Sequence, residues 1–182
     1  MTVNNITGAC MKKTTVIEDG VKYTVKEFGT TKEWFLNRQR HRVKGPAIER
    51  ADGSFAWYLN GNLHRKDGPA LERADGHKAW YLNGLRHRED GPAVEFVDGT
   101  KEWWLNDKRH RTDGPAFERN DGYKAWYVNG NLHREDGPAI EYADGHKEWW
   151  LNSKGYTKPN YYKELFHRGL ITKEELFLEL LD

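Results

Sequence analysis

The sequence predicts a mainly β protein: an elongated single-layer antiparallel β-sheet built of 23-residue hairpin repeats, with a short α-helical cap at its C-terminal end. Three observations predict it. Trp34, Trp57, Trp80, Trp103, Trp126 and Trp149 recur every 23 residues, and a fixed period of that length marks an array whose units bury their apolar surface on one another. Asp-Gly, Asn-Gly and Asp-Gly-Pro turn signals recur through the units, Asn-Gly at Asn60, Asn83 and Asn129, and leave only strand-length segments between them. Beyond Asn152 the period stops and apolar residues fall at helical spacing.

The repeat runs through nearly the whole unit. His41, His64, His87, His110 and His133 share the interval, each followed by an arginine. Gly-Pro-Ala recurs from Gly45, Gly68, Gly91, Gly114 and Gly137, with glutamates at Glu49, Glu72, Glu95, Glu118 and Glu141. Tyr58–Glu72 and Tyr127–Glu141 are nearly the same text, the trace of a tandem duplication of three units.

In chain order, Thr15 to Val25 predicts an extra hairpin around Asp19-Gly20, followed by a degenerate half-unit from Lys26 to Trp34 with Gly29-Thr30 at its turn. Both would shield the first sheet edge. A full unit predicts one hairpin: a strand such as Ala70 to Arg73, an Asp-Gly turn, then a strand such as Lys78 to Leu82, with Asn83 to Pro92 crossing to the next hairpin. The prolines belong at strand starts, where no ladder hydrogen bond is lost. A two-residue loop would set Arg73 against Lys78, whereas a three-residue loop closed by a glycine bulge sets Glu72 against Lys78, and charge favours the second. It would repeat as Glu95 with Lys101, Glu118 with Lys124 and Glu141 with Lys147, and Phe55 breaks it in the first full unit. Neighbouring aromatics should point to opposite faces, giving an aromatic ladder on each, with equivalent side chains every ~10 Å. The C-terminal part predicts helices over Asn160 to Leu170 and Lys173 to Leu181, with Gly169 ending the first and Thr172 and Glu175 forming a capping box on the second. The domain reading is an N-terminal extension and hairpin cap at 1–25, the repeat array at 26–152 and a helical hairpin cap at 153–182.

Composition sets limits. With 31% charged residues and a net charge of +1, arginine and glutamate interleaved in every unit, no phosphate-tracking patch is indicated. Cys10 is the only cysteine, which excludes an intramolecular disulfide and a thiolate metal cage and favours an intracellular, cytoplasmic setting. The first residues lack the apolar core of a signal peptide, and no stretch approaches the ~20 apolar residues that cross a bilayer.

The text Tyr58-Leu59-Asn60-Gly61-Asn62-Leu63-His64, and its counterpart Tyr81 to His87, resembles the MORN repeat, whose typical unit reads aromatic-x-Asn-Gly-x-x-His-Gly. The likeness covers about residues 26 to 152. Two departures matter: arginine follows the histidine where MORN units have glycine, and Gly-Pro-Ala replaces the second glycine pattern. It is a variant of the kind familiar from bacteria, phages and large viruses. The resemblance implies an elongated, twisted antiparallel sheet that acts as a scaffold or binding surface, in some bacterial relatives as an antitoxin or immunity protein, and not an enzyme.

The His-Arg-x-Asp segment could read as base, anion clamp and carboxylate. It occurs at His64, His87, His110 and His133 alike, whereas an active site is needed once, so bracing of turns is the reading preferred over catalysis. Histidines ~10 Å apart cannot share one zinc. No catalytic, cofactor or metal residues are therefore assigned. The tryptophans are read first as structural stacking, and second as cages for a sugar or quaternary amine. Binding is expected where units differ: Arg38, Arg40, Arg86, Lys108 and Arg109 in the crossing loops, Trp104 and Trp150 as second aromatics, and Tyr161 and Phe166 on the first C-terminal helix. The alternation Ala56, Ala79, Glu102, Ala125, Glu148 changes one face locally. The expected function is a non-enzymatic scaffold that binds another protein, as an inhibitor, antitoxin or phage accessory protein. A carbohydrate or small-ligand module is the alternative, nucleic-acid binding ranks lower, and no membrane partner or cofactor is expected.

Overall fold

A computed structural model describes residues 11–181; Cys10 and the N-terminal part of the expected extension lie outside the described residues. The chain forms two compact units, Met1–Leu85 and Arg86–Asp182. Both are antiparallel β structure in hairpin order, and two short helices close the sequence.

The first unit opens with its longest strands. Lys12–Glu18, Val21–Phe28 and Thr31–Leu36 form a meander in which Glu18 pairs with Val21 and Phe28 with Thr31. The predicted Asp19-Gly20 hairpin is present, and its strands run longer than Thr15 to Val25. This meander supplies most of the unit's core: Tyr23, Val25 and Trp34 are buried with Ala47, and Val16, Val21, Leu36 and Tyr58 pack around them. From there the ladder runs in two-residue steps, Ile48–Glu49, Phe55–Ala56, Leu71–Glu72 and Lys78–Ala79, each paired with the next.

The second unit repeats these steps with Val94–Glu95, Lys101–Glu102, Phe117–Glu118 and Lys124–Ala125, then Ile140–Glu141 and a final ribbon of Lys147–Leu151 and Lys154–Tyr156. Glu72 pairs with Lys78, Glu95 with Lys101, Glu118 with Lys124 and Glu141 with Lys147, the register that charge favours. The turn behind it is the three-residue one: the Arg73 N–H donates to the His77 carbonyl, and Gly76 N–H donates back to the Arg73 carbonyl. Asp52, Asp75, Asp98, Asp121 and Asp144 each accept the N–H two residues on, as Asp75 does from His77.

One expectation is corrected. The unit is not a single hairpin, because its second strand breaks at the tryptophan. Phe55–Ala56 belongs to the main ladder, whereas Tyr58–Leu59 folds back on Asn62–Leu63 as a separate ribbon. Between them the Trp57 N–H donates to the Ala70 carbonyl at 2.7 Å, and the Trp57 carbonyl accepts from His64 at 3.0 Å. Asn60 and Gly61, at φ 49° and 80°, make the tight turn of that ribbon, a left-handed pair that asparagine and glycine tolerate best. Asn-Gly therefore closes a second hairpin where the sequence reading ran a plain crossing segment.

The helices match the reading closely. Helix α1 spans Lys158–His167 and helix α2 spans Lys173–Glu179. Gly169, at φ 69°, ends the first, and both halves of the Thr172/Glu175 capping box are made. α1 is anchored by Tyr161 and Leu165, which are buried with Leu151 and packed by Trp149, Tyr156, Tyr162 and Ile171. α2 buries none of its side chains, and Phe177, Leu178, Leu180 and Leu181 around it are exposed. Among the described residues no helix is long and apolar enough to cross a membrane.

Candidate functional site

The repeated residues form one polar cradle per unit. In the Arg111 example, Nε donates to Asp113 at 2.8 Å, and Nη1 donates to the Pro115 carbonyl at 3.2 Å and to Glu118 at 2.9 Å. The guanidinium also lies 4.1 Å from the centroid of the Trp103 ring. Its other side meets backbone: a Cβ on Gly114 would stand 2.8 Å from the Arg111 Cζ. Glycine fits there because any side chain would push the hydrogen-bonded guanidinium away. Trp34 with Arg42, Trp57 with Arg65 and Trp126 with Arg134 keep the same 4.1 Å spacing.

Trp34, Trp57, Trp103 and Trp126 thus stack on guanidinium groups, where the sequence reading expected aromatic stacking along the sheet. A half-buried cation over an indole is worth about 1 to 2 kcal/mol, and here it is held by charge-assisted hydrogen bonds as well. The first cradle shows that the geometry matters more than the local text. Lys44 stands where the other units have aspartate, and Glu18 from the opening strand supplies the carboxylate instead, at 2.8 and 3.2 Å from Arg42.

The histidines brace the asparagine turns of the short ribbons. His64 Nδ1 accepts the Asn83 backbone N–H at 3.1 Å and lies 2.9 Å from the Asn83 side-chain amide, and His41 treats Asn60 in the same way. Asn129 and Asn152 donate likewise to His110 and His133. Among the described residues no three His, Cys, Asp or Glu side chains gather to hold a metal ion.

What differs between units collects on one face of the second unit. Trp104 lies between two arginines, with Arg86 3.5 Å and Arg109 5.0 Å from its centroid, and its indole N–H donates to Glu102 at 2.7 Å. Arg86 is fixed by Asp107 at 2.7 Å, a bond that holds the Asp107 carboxyl below its ordinary range. Arg109 donates to Glu102 at 2.8 Å and reaches over Phe117 and Tyr127. From Phe117 an edge-to-face file runs through Tyr123 to Tyr142, with centroids 5.7 and 5.3 Å apart, and ends at His146. The Tyr142 hydroxyl donates to Glu148, whose other oxygen accepts the Trp150 indole N–H, both at 2.8 Å. That bond pushes the Tyr142 hydroxyl up to about 12.

Beyond Trp150 a groove of about 1010 Å³ opens between the Lys147–Tyr156 ribbon and α1. Smaller grooves of about 510 to 550 Å³ recur between successive His-Arg loops and follow the repeat.

The structure brings Arg86, Arg109, Trp104 and Trp150 to this face. Lys108 is an exposed strand residue beside it, paired with Leu105. Arg38 and Arg40 belong to the first unit, where Arg38 is exposed at φ 66° and Arg40 pairs with Glu33 at 3.3 Å. Phe166 is 38% exposed on α1. Tyr161 is fully buried, so its side chain offers no surface. Its hydroxyl donates to the Arg134 carbonyl and accepts the Gly137 N–H, which seats α1, and burial raises its titration well above the usual tyrosine range.

The Ala/Glu alternation also has a cause. Glu102 and Glu148 occur where the second aromatic is tryptophan, whose N–H needs an acceptor, and the alanines occur where it is tyrosine. Sequence reasoning missed Phe117, Tyr123 and Tyr142. Aligning the units exposes the last two, since Ser54, His77, Thr100 and His146 share the position of Tyr123, and Arg50, Arg73, Phe96 and Arg119 that of Tyr142.

No protein-family model, curated protein or solved structure matches the chain.

Proposed function

We propose that this protein is a non-enzymatic repeat scaffold that binds another protein through the variable face of its second unit. The observation that carries the reading is the half-exposed cluster of Arg86, Trp104, Arg109, Phe117, Tyr123 and Tyr142, which has the tryptophan, tyrosine and arginine makeup of protein-binding hot spots. The exposed apolar residues of α2 add a second contact of the same kind. The repeated arginines, aspartates and glutamates satisfy one another within each cradle, which supports a structural role for them rather than catalysis. An inhibitor, antitoxin or phage accessory role follows from the resemblance of the unit to MORN repeats and belongs to the same proposal.

Capture from a lysate tests it. The wild-type chain is expected to retain one stoichiometric protein that a Tyr123→Ala/Tyr142→Ala variant of unchanged circular dichroism releases. Repeated failure to recover any such protein overturns the reading. A small-ligand module is favoured by one observation, the groove that Trp150 and Tyr156 line; tryptophan quenching by a sugar panel would support it.

A further inference from the structure

The Glu-Trp-aromatic triplet occurs three times, at Glu33, Glu102 and Glu148. Seven residues after each glutamate, directly across the two-stranded ribbon from the second aromatic, stand Arg40, Arg109 and Gly155. The first two arginines pair with their glutamates, at 3.3 Å for Arg40 and 2.8 Å for Arg109. The third row lacks the cation, and the Glu148 oxygen equivalent to the one Arg109 binds on Glu102 accepts the Tyr142 hydroxyl instead. Glu148 still accepts the Trp150 indole N–H, and its remaining bond is to the neutral Tyr142 hydroxyl. Among the described residues it makes no ion pair, so its charge is not balanced as that of Glu102 is.

Gly155 is not imposed by the backbone, because its φ is not positive, and a Cβ there would stand 3.4 Å from the Trp150 ring, an ordinary contact. The residue therefore leaves the indole open toward the groove that Trp150, Glu148, Gly155 and Tyr156 line with α1. We propose that this groove is a guanidinium-binding site that takes an arginine side chain of a partner protein, with its cation over Trp150 and paired to Glu148, as Arg109 is placed in the Trp104 row. A planar guanidinium meets both demands, since it stacks on an indole while donating in its own plane to a carboxylate. The groove is also lined by Lys147, Lys154 and Lys163, by Lys158, which pairs with Glu179, and by Glu164, which pairs with Arg168; the excess of lysines repels an isolated cation and suits an arginine flanked by acidic residues.

This inference rests on the protein-binding reading and names the chemistry of the partner. Its test uses the full chain and three peptides, acetyl-Asp-Arg-Asp-amide and its lysine and citrulline analogues, followed by the Trp150 indole N–H resonance, assigned through Trp150→Phe. The arginine peptide is expected to shift that resonance saturably, with the lysine peptide weaker by about ten-fold and the citrulline peptide inert. Gly155→Arg, which builds the missing guanidinium into the chain, is expected to abolish the shift, and Glu148→Gln to weaken binding by about ten-fold or more. Should Gly155→Arg not fold, the Glu148→Gln comparison decides alone. Absence of any shift, equal binding of arginine and citrulline or of arginine and lysine, or undiminished binding by a folded Gly155→Arg chain overturns the assignment. A captured partner retained equally by wild type and folded Gly155→Arg would overturn the groove and leave the protein-binding reading standing.

Discussion

The His-Arg-x-Asp-Gly-Pro loops and the face between Trp104 and Trp150 are built from the same residue types, arginines, carboxylates and indoles, yet they differ in how completely those groups satisfy one another. In a loop such as that of Arg111, the cation has two carboxylates, a carbonyl, an indole and a glycine backbone around it. On the variable face the rings of Phe117, Tyr123, Tyr142 and Trp150 remain half-exposed. Repetition here marks structure, and departure from it marks surface that can be used on something else.

Breaking a cradle should have the largest effect. Arg111→Ala leaves the part-buried Glu118 without its cation and uncovers Trp103, and is expected to cost about 2 to 3 kcal/mol in urea unfolding. Arg119→Ala, which removes an exposed pair with Asp121 and a cation 5.5 Å from the Tyr123 ring, should cost less, about 0.5 kcal/mol. Gly114→Ala forces the Arg111 guanidinium off its backbone and should cost about 1 to 3 kcal/mol by the same measurement. Next comes the anchor of α1. Tyr161→Phe leaves the Arg134 carbonyl and the Gly137 N–H without their hydroxyl, for a loss of about 1 to 2 kcal/mol and weaker amide-exchange protection of Lys158–His167.

The smallest effects are those of pH. The arginine hydrogen bonds hold the Asp67, Asp90 and Asp113 carboxyls below their ordinary 3.8. Their contribution is present above that value and is lost as pH falls through the lower folded values, so asparagine substitutions should flatten the acid limb of a stability profile. On the variable face the sign reverses. The Tyr142 hydroxyl is raised from 10.0 to about 12, so its contribution is intact below pH 10 and is lost as pH rises toward 12. Tyr142→Phe should remove that alkaline step and leave the acid limb unchanged.

Much of the fold was legible because the turn residues carry backbone information directly. Asp-Gly placed the bulged turn and the Glu72–Lys78 register, and Thr172 with Glu175 placed the start of α2. The break of the strand at each tryptophan was not legible, since alternation of apolar residues cannot show which ladder a backbone N–H joins. Nor was the Arg65–Trp57 stack, which pairs groups eight residues apart around an Asn-Gly turn. At the candidate face the sequence pointed to Arg86, Trp104 and Arg109 through their departure from the repeat. It missed Tyr123 and Tyr142 because each looks like a turn-flanking residue until the file of rings is assembled in space. Tyr161 read as a surface aromatic, and only packing shows that it faces inward.

The most direct test is hydrogen–deuterium exchange of the chain with and without the protein that the proposed capture is expected to recover, compared peptide by peptide across the second unit. Added protection is expected over the segments bearing Trp104, Tyr123, Tyr142 and Trp150, with the His110–Pro115 and His133–Pro138 loops unchanged. Protection confined to those loops, with the variable face unaltered, would contradict the division of labour proposed here.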